Sequence, residues 1–384
     1  MLQNTAIIGI GQTSVGEHWD LSLRQIAYQA MQAALDDAGL QSVDVVIVGN
    51  ALGGVVSNQN HLGALVADFA GMRGIDGVRI EGADASGGLA LHQGCLMVAG
   101  GLAQTVMVLG VEKVTDVVGS TRNTALATFL DNDYEAAQGA TPAGMAALLM
   151  RRYMHEYGVQ LADFANFSVN AHANGSKNPN AMFRNLIKAD RFVSAPLVAD
   201  PLNLFDIAPE ADGAAAVILT SVERAADMVP QPIRILGSAV ATDTLALHDR
   251  LDPLFLAAVQ RSVTQACQQA AIAPHDVDLL ELHDVATIIT TLSLEASGFA
   301  SRGEGWQIAV ENQIGLTGQL PISTFGGLKS RGNPLGATGV YQAVEATLQL
   351  RGDAGDNQVE HAELAMTQNL GGLGSTAVTH VFGK

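Results

Sequence analysis

The stretch "VRIEGADASGGLALHQG", residues 78–94, places a carboxylate, Asp84, where an extended run gives way to a helix built from small residues. An acid at that point suits two chemistries. Its oxygens can cap the helix by accepting N–H bonds from the first turn. It can also act on a bound molecule, because Gly and Ala let a ligand come close to backbone donors. Local sequence leaves both open. Further groups with chemical potential are cationic: "KNPNAMFRNLIKADR" (177–191) sets Lys177, Arg184, Lys188 and Arg191 against one acid, Asp190, and "GGLKSRGNPLGATG" adds Lys329 and Arg331. In a chain of formal net charge −18, basic islands in Gly- and Asn-rich loops are candidate phosphate contacts. The overall charge argues against nucleic acid and anionic membranes as partners. Cys95 and Cys267 are too few for a disulfide framework or a cysteine-rich zinc site. Both read as core residues, Cys95 on the helix after Asp84 and about 16 Å along it at 1.5 Å per residue. His92, His155 and His380 read as structural, and "GIGQTSVG" does not have the spacing of a dinucleotide loop.

Positioning these residues requires a particular order of elements. "AIIGIG" reads as a buried strand, "LRQIAYQAMQAALDDAG" as a helix closed by Gly39, and "VDVVIVGNA" as a second strand. The order repeats later with "IRILGS", "LDPLFLAAVQRSVTQACQQAAI" and "VDLLELHDV". A repeat of this kind marks two related halves. The first continues through a strand, the Asp84 junction, a helix and "TVMVLGVEK". The second continues through "LPIST", the junction "FGGLKSRGNPLGATG", the helix "VYQAVEATLQLRG" and the pair of strands in "ELAMTQNLGGLGSTAVTHVFG". Alternating strands and helices predict an α/β fold with mostly parallel sheets covered by helices, the junction loops of both halves meeting at one place. The boundaries fall at 1–115 for the first half, 116–225 for an insertion that folds over the site and returns to the first core, and 226–384 for the second half. The start lacks the basic and long apolar runs of a signal peptide, and no apolar run is long enough to span a membrane, so a cytoplasmic protein is expected.

"GVEKVTD", "RRYMHEYG", "VADPLNLFDIAPEADGAAAVILTS", "ELHDVATIITTLSLEASGF", "GGLKSRGNPLGATG" and "QNLGGLG" resemble, in order and spacing, the thiolase superfamily, and within it the sterol-carrier-protein and archaeal-type branch. The resemblance covers nearly the whole chain. It implies a five-layered αβαβα fold from two duplicated halves, a homodimer, and acyl-CoA as substrate with no further cofactor and no metal. It also implies a possible small partner built from a zinc ribbon and an OB-fold. The family's nucleophilic Cys lies in Glu-x-Ala-Cys-Ala-Ser-Gly, and "EGADASG" puts Asp84 there. Its Gly-His-Pro motif reads "GNP", with Asn333 in the place of His. The His-Asp pair is kept as His283 and Asp284, followed by Val285, and the late loop reads Gln368 and Asn369.

Thiolysis needs a thiolate and a base to generate it, and at these matched positions both are replaced. The groups that remain suit a CoA enolate. His283, the Asn333 amide, Asn369 and backbone N–H groups near Gly371 and Gly372 are candidate donors to a thioester oxygen as charge develops on it, and Asp84 is a candidate general base. Retro-aldol cleavage of a β-hydroxyacyl-CoA uses these roles and no acyl-enzyme. A CoA-binding or partner-stabilising subunit without activity is the alternative, and acetyl-CoA acetyltransfer a distant third. Arg184, Lys188, Arg191, Lys329 and Arg331 are expected at the CoA phosphates.

Overall fold

The computed structural model describes residues 4–384. The first half runs β1 (Thr5–Gln12), α1 (Leu23–Ala38), β2 (Val45–Gly49), α2 (Leu62–Phe69), β3 (Asp76–Ile80), α3 (Ser86–Ala99) and β4 (Val106–Glu112). Next come α4 (Gly119–Ala127), α5 (Pro142–Tyr157), α6 (Ala165–Gly175), the short α7 (Ala189–Val193) and the strand pair β5 (Leu197–Ala199) and β6 (Leu202–Asn203), before the chain returns as β7 (Gly213–Ser221) and α8 (Val222–Met228). The second half holds β8 (Ile233–Thr242), α9 (Ala257–Ala270), β9 (Leu279–Glu281), α10 (Thr287–Ala296), α11 (Gln307–Val310), α12 (Thr338–Arg351), β10 (Leu364–Gly371) and β11 (Thr376–Gly383). Local signals set the helix ends. At the start of α1, the Ser22 N–H donates to Gln25 Oε1 at 2.8 Å; α5 starts at Thr141, whose Oγ1 accepts the Gly144 N–H at 3.1 Å, with Pro142 in the first turn.

Nine strands form one sheet in the order β3-β2-β4-β7-β1-β8-β11-β10-β9. Pairing is parallel where a helix crosses over, at β2 with β3 and β4 and at β9 with β10. The other neighbours run antiparallel, a larger share than the alternation of strands and helices predicts. The chain's route explains the difference: β7 re-enters from the insertion between β4 and β1, and β10 turns back directly into β11. "LPIST" forms only an isolated bridge, Ile322 to Leu280, since Pro321 has no N–H for a ladder.

Strands β1, β2, β4 and β7 are buried on both faces, and alternation sorts their side chains into two cores. Ala6 and Ile8 of β1 join Met31, Ala34 and Val48 on the side of α1 and α2. Ile7 and Ile10 join Leu91, Val340 and Val344 on the side of α3 and α12, a bulge between Ile7 and Gly9 resetting the alternation. Helices α3 and α12 pack on each other, and each touches strands of both halves. A third core lies where α9 and α10 cover the second-half strands. The result is a thiolase-like α/β fold layered as outer helices, strands, α3 with α12, strands and outer helices. The expectation that the two junctions meet holds: a Cβ placed on Gly339 would lie 2.3 Å from the Gly88 backbone N, so the starts of α3 and α12 touch backbone to backbone.

Candidate active site

Asp84 sits in a tight turn closed by its own neighbours. Ala83 adopts φ +51°, and Ser86 Oγ accepts the Gly82 N–H at 3.0 Å while donating to the Ala83 carbonyl. The N-cap of α3 is Ala85, with no side-chain cap bond. Asp84 is therefore not the helix cap. Its residue is 6% exposed, Oδ1 has no hydrogen-bond partner, and it lines a cavity. Burial, reinforced by the negative charges of Glu112 and Glu210, pushes its carboxyl up to about 8.

Asn369 of β10 holds this turn. Its Oδ1 accepts the Gly88 N–H at 3.0 Å, which fixes the orientation of its amide. Nδ2 then donates to the Asp84 carbonyl at 3.1 Å and lies 3.3 Å from His283 Nδ1. With both amide ends engaged, Asn369 orients its neighbours and is not the free oxyanion donor that its position in the sequence suggests. The bond makes His283 Nδ1 an acceptor, so the ring carries its proton on Nε2. Burial, with the Arg331 charge, drives His283 down to about 3; it is neutral and fully buried behind the residues that line the cavity, and its Nε2 has no partner among the described residues.

Asn333 comes from the loop before α12 and lines the same cavity. Its Oδ1 accepts the Leu335 N–H and the Thr338 hydroxyl, each at 3.1 Å, leaving Nδ2 as the group it presents. Gly371 packs on the Asp84 turn, where a Cβ would come 2.5 Å from the Gly82 carbonyl, and Gly372, at φ +58°, lines the cavity. The cavity measures about 790 Å³. Its wall is mainly apolar and drawn largely from the insertion, with Phe129, Ala146, Phe183 and Phe205 facing Val285 and Leu373 of the second half.

The basic islands separate. Arg184, Lys188 and Arg191 are exposed, on a segment whose Phe183, Asn185 and Ile187 line the cavity. Lys329 and Arg331 are buried and are not surface phosphate contacts. The Lys329 ammonium donates to the Asp206 carbonyl, and burial lowers it to about 8 despite Asp284 and Asp206 nearby. Arg331 pairs with Glu345 at 2.6 Å, both 1% exposed, with its guanidinium over the Tyr341 ring. Loop composition suggested exposure; the loop is in fact folded into the core between α6 and α12. Sequence reasoning missed Arg122 and Glu210, which line the cavity and face each other at 4.0 Å. It also missed Glu112, which ends a continuously apolar strand, the one signal that marked it. Cys95 and Cys267 lie in separate cores, and neither lines the cavity.

Family models for the thiolase N-terminal domain and the thiolase C-terminal domain-like fold match residues 5–223 and 239–384. The chain belongs to the thiolase family. It is 42% identical to an acetyl-CoA acetyltransferase of Methanothermobacter thermautotrophicus over the full length of both. It is also 32% identical to the benzoylsuccinyl-CoA thiolase subunit BbsB of Thauera aromatica, covering 95% of this chain and 94% of that one. Human sterol carrier protein 2 is 28% identical over 98% of this thiolase-family chain and 72% of its own length. Among solved structures, the Ltp2-ChsH2(DUF35) aldolase superposes with a TM-score of 0.86 at 26% identity, over 99% of this chain and 98% of that chain.

Proposed function

We propose that this thiolase-family protein cleaves or forms a carbon–carbon bond in an acyl-CoA through a CoA enolate. The observation that carries the reading is the Asp84 carboxyl: buried at the cavity wall, held up to about 8 and unpartnered at Oδ1. Such a group exchanges protons near neutral pH. In the cleavage direction, the Asp84 carboxylate takes the β-hydroxyl proton and the O–H electron pair becomes the carbonyl π bond. The Cα–Cβ bond then breaks, its electrons passing to the thioester as an enolate. Asn333 Nδ2 and the Nε2–H of His283 are the hydrogen-bond donors to the enolate oxygen, and Asp84 returns its proton to Cα. The products are an aldehyde or ketone and a shortened acyl-CoA.

Two points weigh against acyl transfer through a thioester on this protein, despite the names of its relatives: the motif resemblance sets Asp84 and Asn333 where the family has its Cys and His, and neither cysteine is among the described residues that line the cavity. The exposed Arg184, Lys188 and Arg191 are the proposed contacts for CoA phosphates. A homodimer and a small zinc-ribbon and OB-fold partner complete the proposal, the latter supported by the likeness to an aldolase named for Ltp2 together with ChsH2(DUF35).

The test is turnover of a β-hydroxyacyl-CoA, followed as carbonyl product. Wild type is expected to cleave it, and Asp84→Asn to lose about 10²-fold or more. Thiolysis of acetoacetyl-CoA with a cysteine adduct seen by mass spectrometry would overturn the reading. CoA binding without turnover, with or without the partner, would favour the inactive-subunit alternative.

A further inference from the structure

Glu112 closes β4 and is fully buried, yet among the described residues no cation bonds to it. Its carboxylate is surrounded by N–H groups from two places. Oε1 accepts from Asn50 Nδ2 at 3.0 Å and Leu52 N at 3.1 Å, while Oε2 accepts from Ala51 N at 2.8 Å and Gly336 N at 3.2 Å. Donors on both oxygens favour the ionised form, whose four lone-pair sites they use, against the burial that raises the carboxyl to about 7. The first three belong to the loop after β2; the fourth belongs to the loop between Asn333 and α12. One carboxylate thus joins the two halves of the molecule beside the cavity.

The joined loop is one that needs holding. Leu335 has φ +39°, a left-handed conformation that a non-glycine residue keeps only when its surroundings impose it. The Asn333 Oδ1 bonds to Leu335 and Thr338 depend on that shape, and with them the direction of Asn333 Nδ2. Gly336 itself has no room for a side chain: a Cβ would lie 2.5 Å from Ala51 N and 2.9 Å from Glu112 Oε2.

We propose that Glu112 is a positioning residue of the site: its bonds to Gly336 and to the 50–52 loop hold the strained loop that aims Asn333. Its charge also bears on Asp84, and the activity arm of the test rests on the reading of Asp84 as the acid–base group. The charges that raise Asp84 are those of Glu112 from β4, Glu210 from the segment before β7 and Glu81 in its own turn, and the cavity that Asp84 lines also carries the cations Arg122 and Lys329. Arg79 of β3 faces Glu112, its guanidinium donating to the Asn50 and Ala51 carbonyls at 3.1 and 2.8 Å. The charges therefore act in series, Arg79 on Glu112 and Glu112 on Asp84.

The experiment is titration of the Asp84 carboxyl by carbon-13 NMR on aspartate-labelled full-length protein, with Asp84→Asn to assign the signal, beside the pH profile of cleavage. Glu112→Gln is expected to move the Asp84 midpoint down by about one pH unit, shift the rising limb of kcat equally, and lower kcat at least tenfold with KM little changed, Glu112→Asp recovering the midpoint. Arg79→Gln is the second variant, removing the half-buried cation that bonds the Asn50 and Ala51 carbonyls; with Glu112 less firmly ionised, it is expected to move the midpoint the same way by a smaller amount and to lower kcat as well. Wild-type kcat in a folded Glu112→Gln, or, where that variant does not fold, in Arg79→Gln, whose bonds hold the same 50–52 loop, would overturn the inference. A shifted NMR midpoint with an unshifted activity profile would leave the role of Glu112 standing and remove Asp84 from the chemistry.

Discussion

Protonated in the folded chain at neutral pH, Asp84 couples stability to acidity with a definite sign. Its carboxyl sits near 8 against an ordinary 3.8, so between these values the folded chain keeps a proton that the unfolded chain has released. Stability therefore falls as pH rises through that window, by up to about 1.4 kcal/mol per unit. Asp84→Asn removes the dependence. The variant is expected to melt close to wild type near pH 4, to gain steadily on it up to about pH 8, and to hold a constant lead above. A difference in melting temperature that does not change with pH would show that Asp84 is ionised throughout. Asp84 and Asn333 were legible because a known pattern of neighbours surrounds each. Glu112 and the burial of Arg331 were not, since both depend on partners distant in the chain: Gly336 lies far from Glu112, and Glu345 is on α12.

Between elements, the site depends on how closely α3 and α12 approach. A Cβ on Gly339 would meet Asn369 Oδ1 and the Gly88 N at 2.3 Å each. Gly339→Ala should cost about 1–3 kcal/mol by overpacking and disturb the Asn369 bond that holds the Asp84 turn. Gly16→Ala, at a position with open space around it, should be neutral. Parallel thermal melts compare the two, and equal melting temperatures would mean that the helices part freely. The helices themselves were readable from apolar spacing and glycine stops, and α1 and α12 fall where that reading puts them. Strand direction was not: nothing local in "GAAAVILTS" says that β7 inserts between β4 and β1, because both its faces are buried whichever way it runs.

Across the whole molecule, the distribution of charge matters more than its sum. In a chain of net charge −18, the exposed cations at 184, 188 and 191 are the proposed handle for an anionic ligand. Neutralising Arg184, Lys188 and Arg191 together should weaken CoA binding by calorimetry at low salt, and the loss should shrink as salt rises. Arg331→Met should instead destabilise the fold by about 3–5 kcal/mol through the Glu345 carboxylate left buried and unpaired. Equal CoA affinity in the triple variant would remove that island from the site.

The position of β1 has a consequence for how such a chain is made. Of the described strands it is synthesised first, yet it lies between β7 and β8, and its partner residues in β7 follow about 200 positions later. At about 5–20 residues per second, the ribosome needs roughly 10–40 s to supply them. Throughout that interval the apolar segment "TAIIGIGQ" waits with both edges unpaired, open to any other strand that passes. The seam that later joins the two halves is thus, during synthesis, a stretch exposed to mispairing.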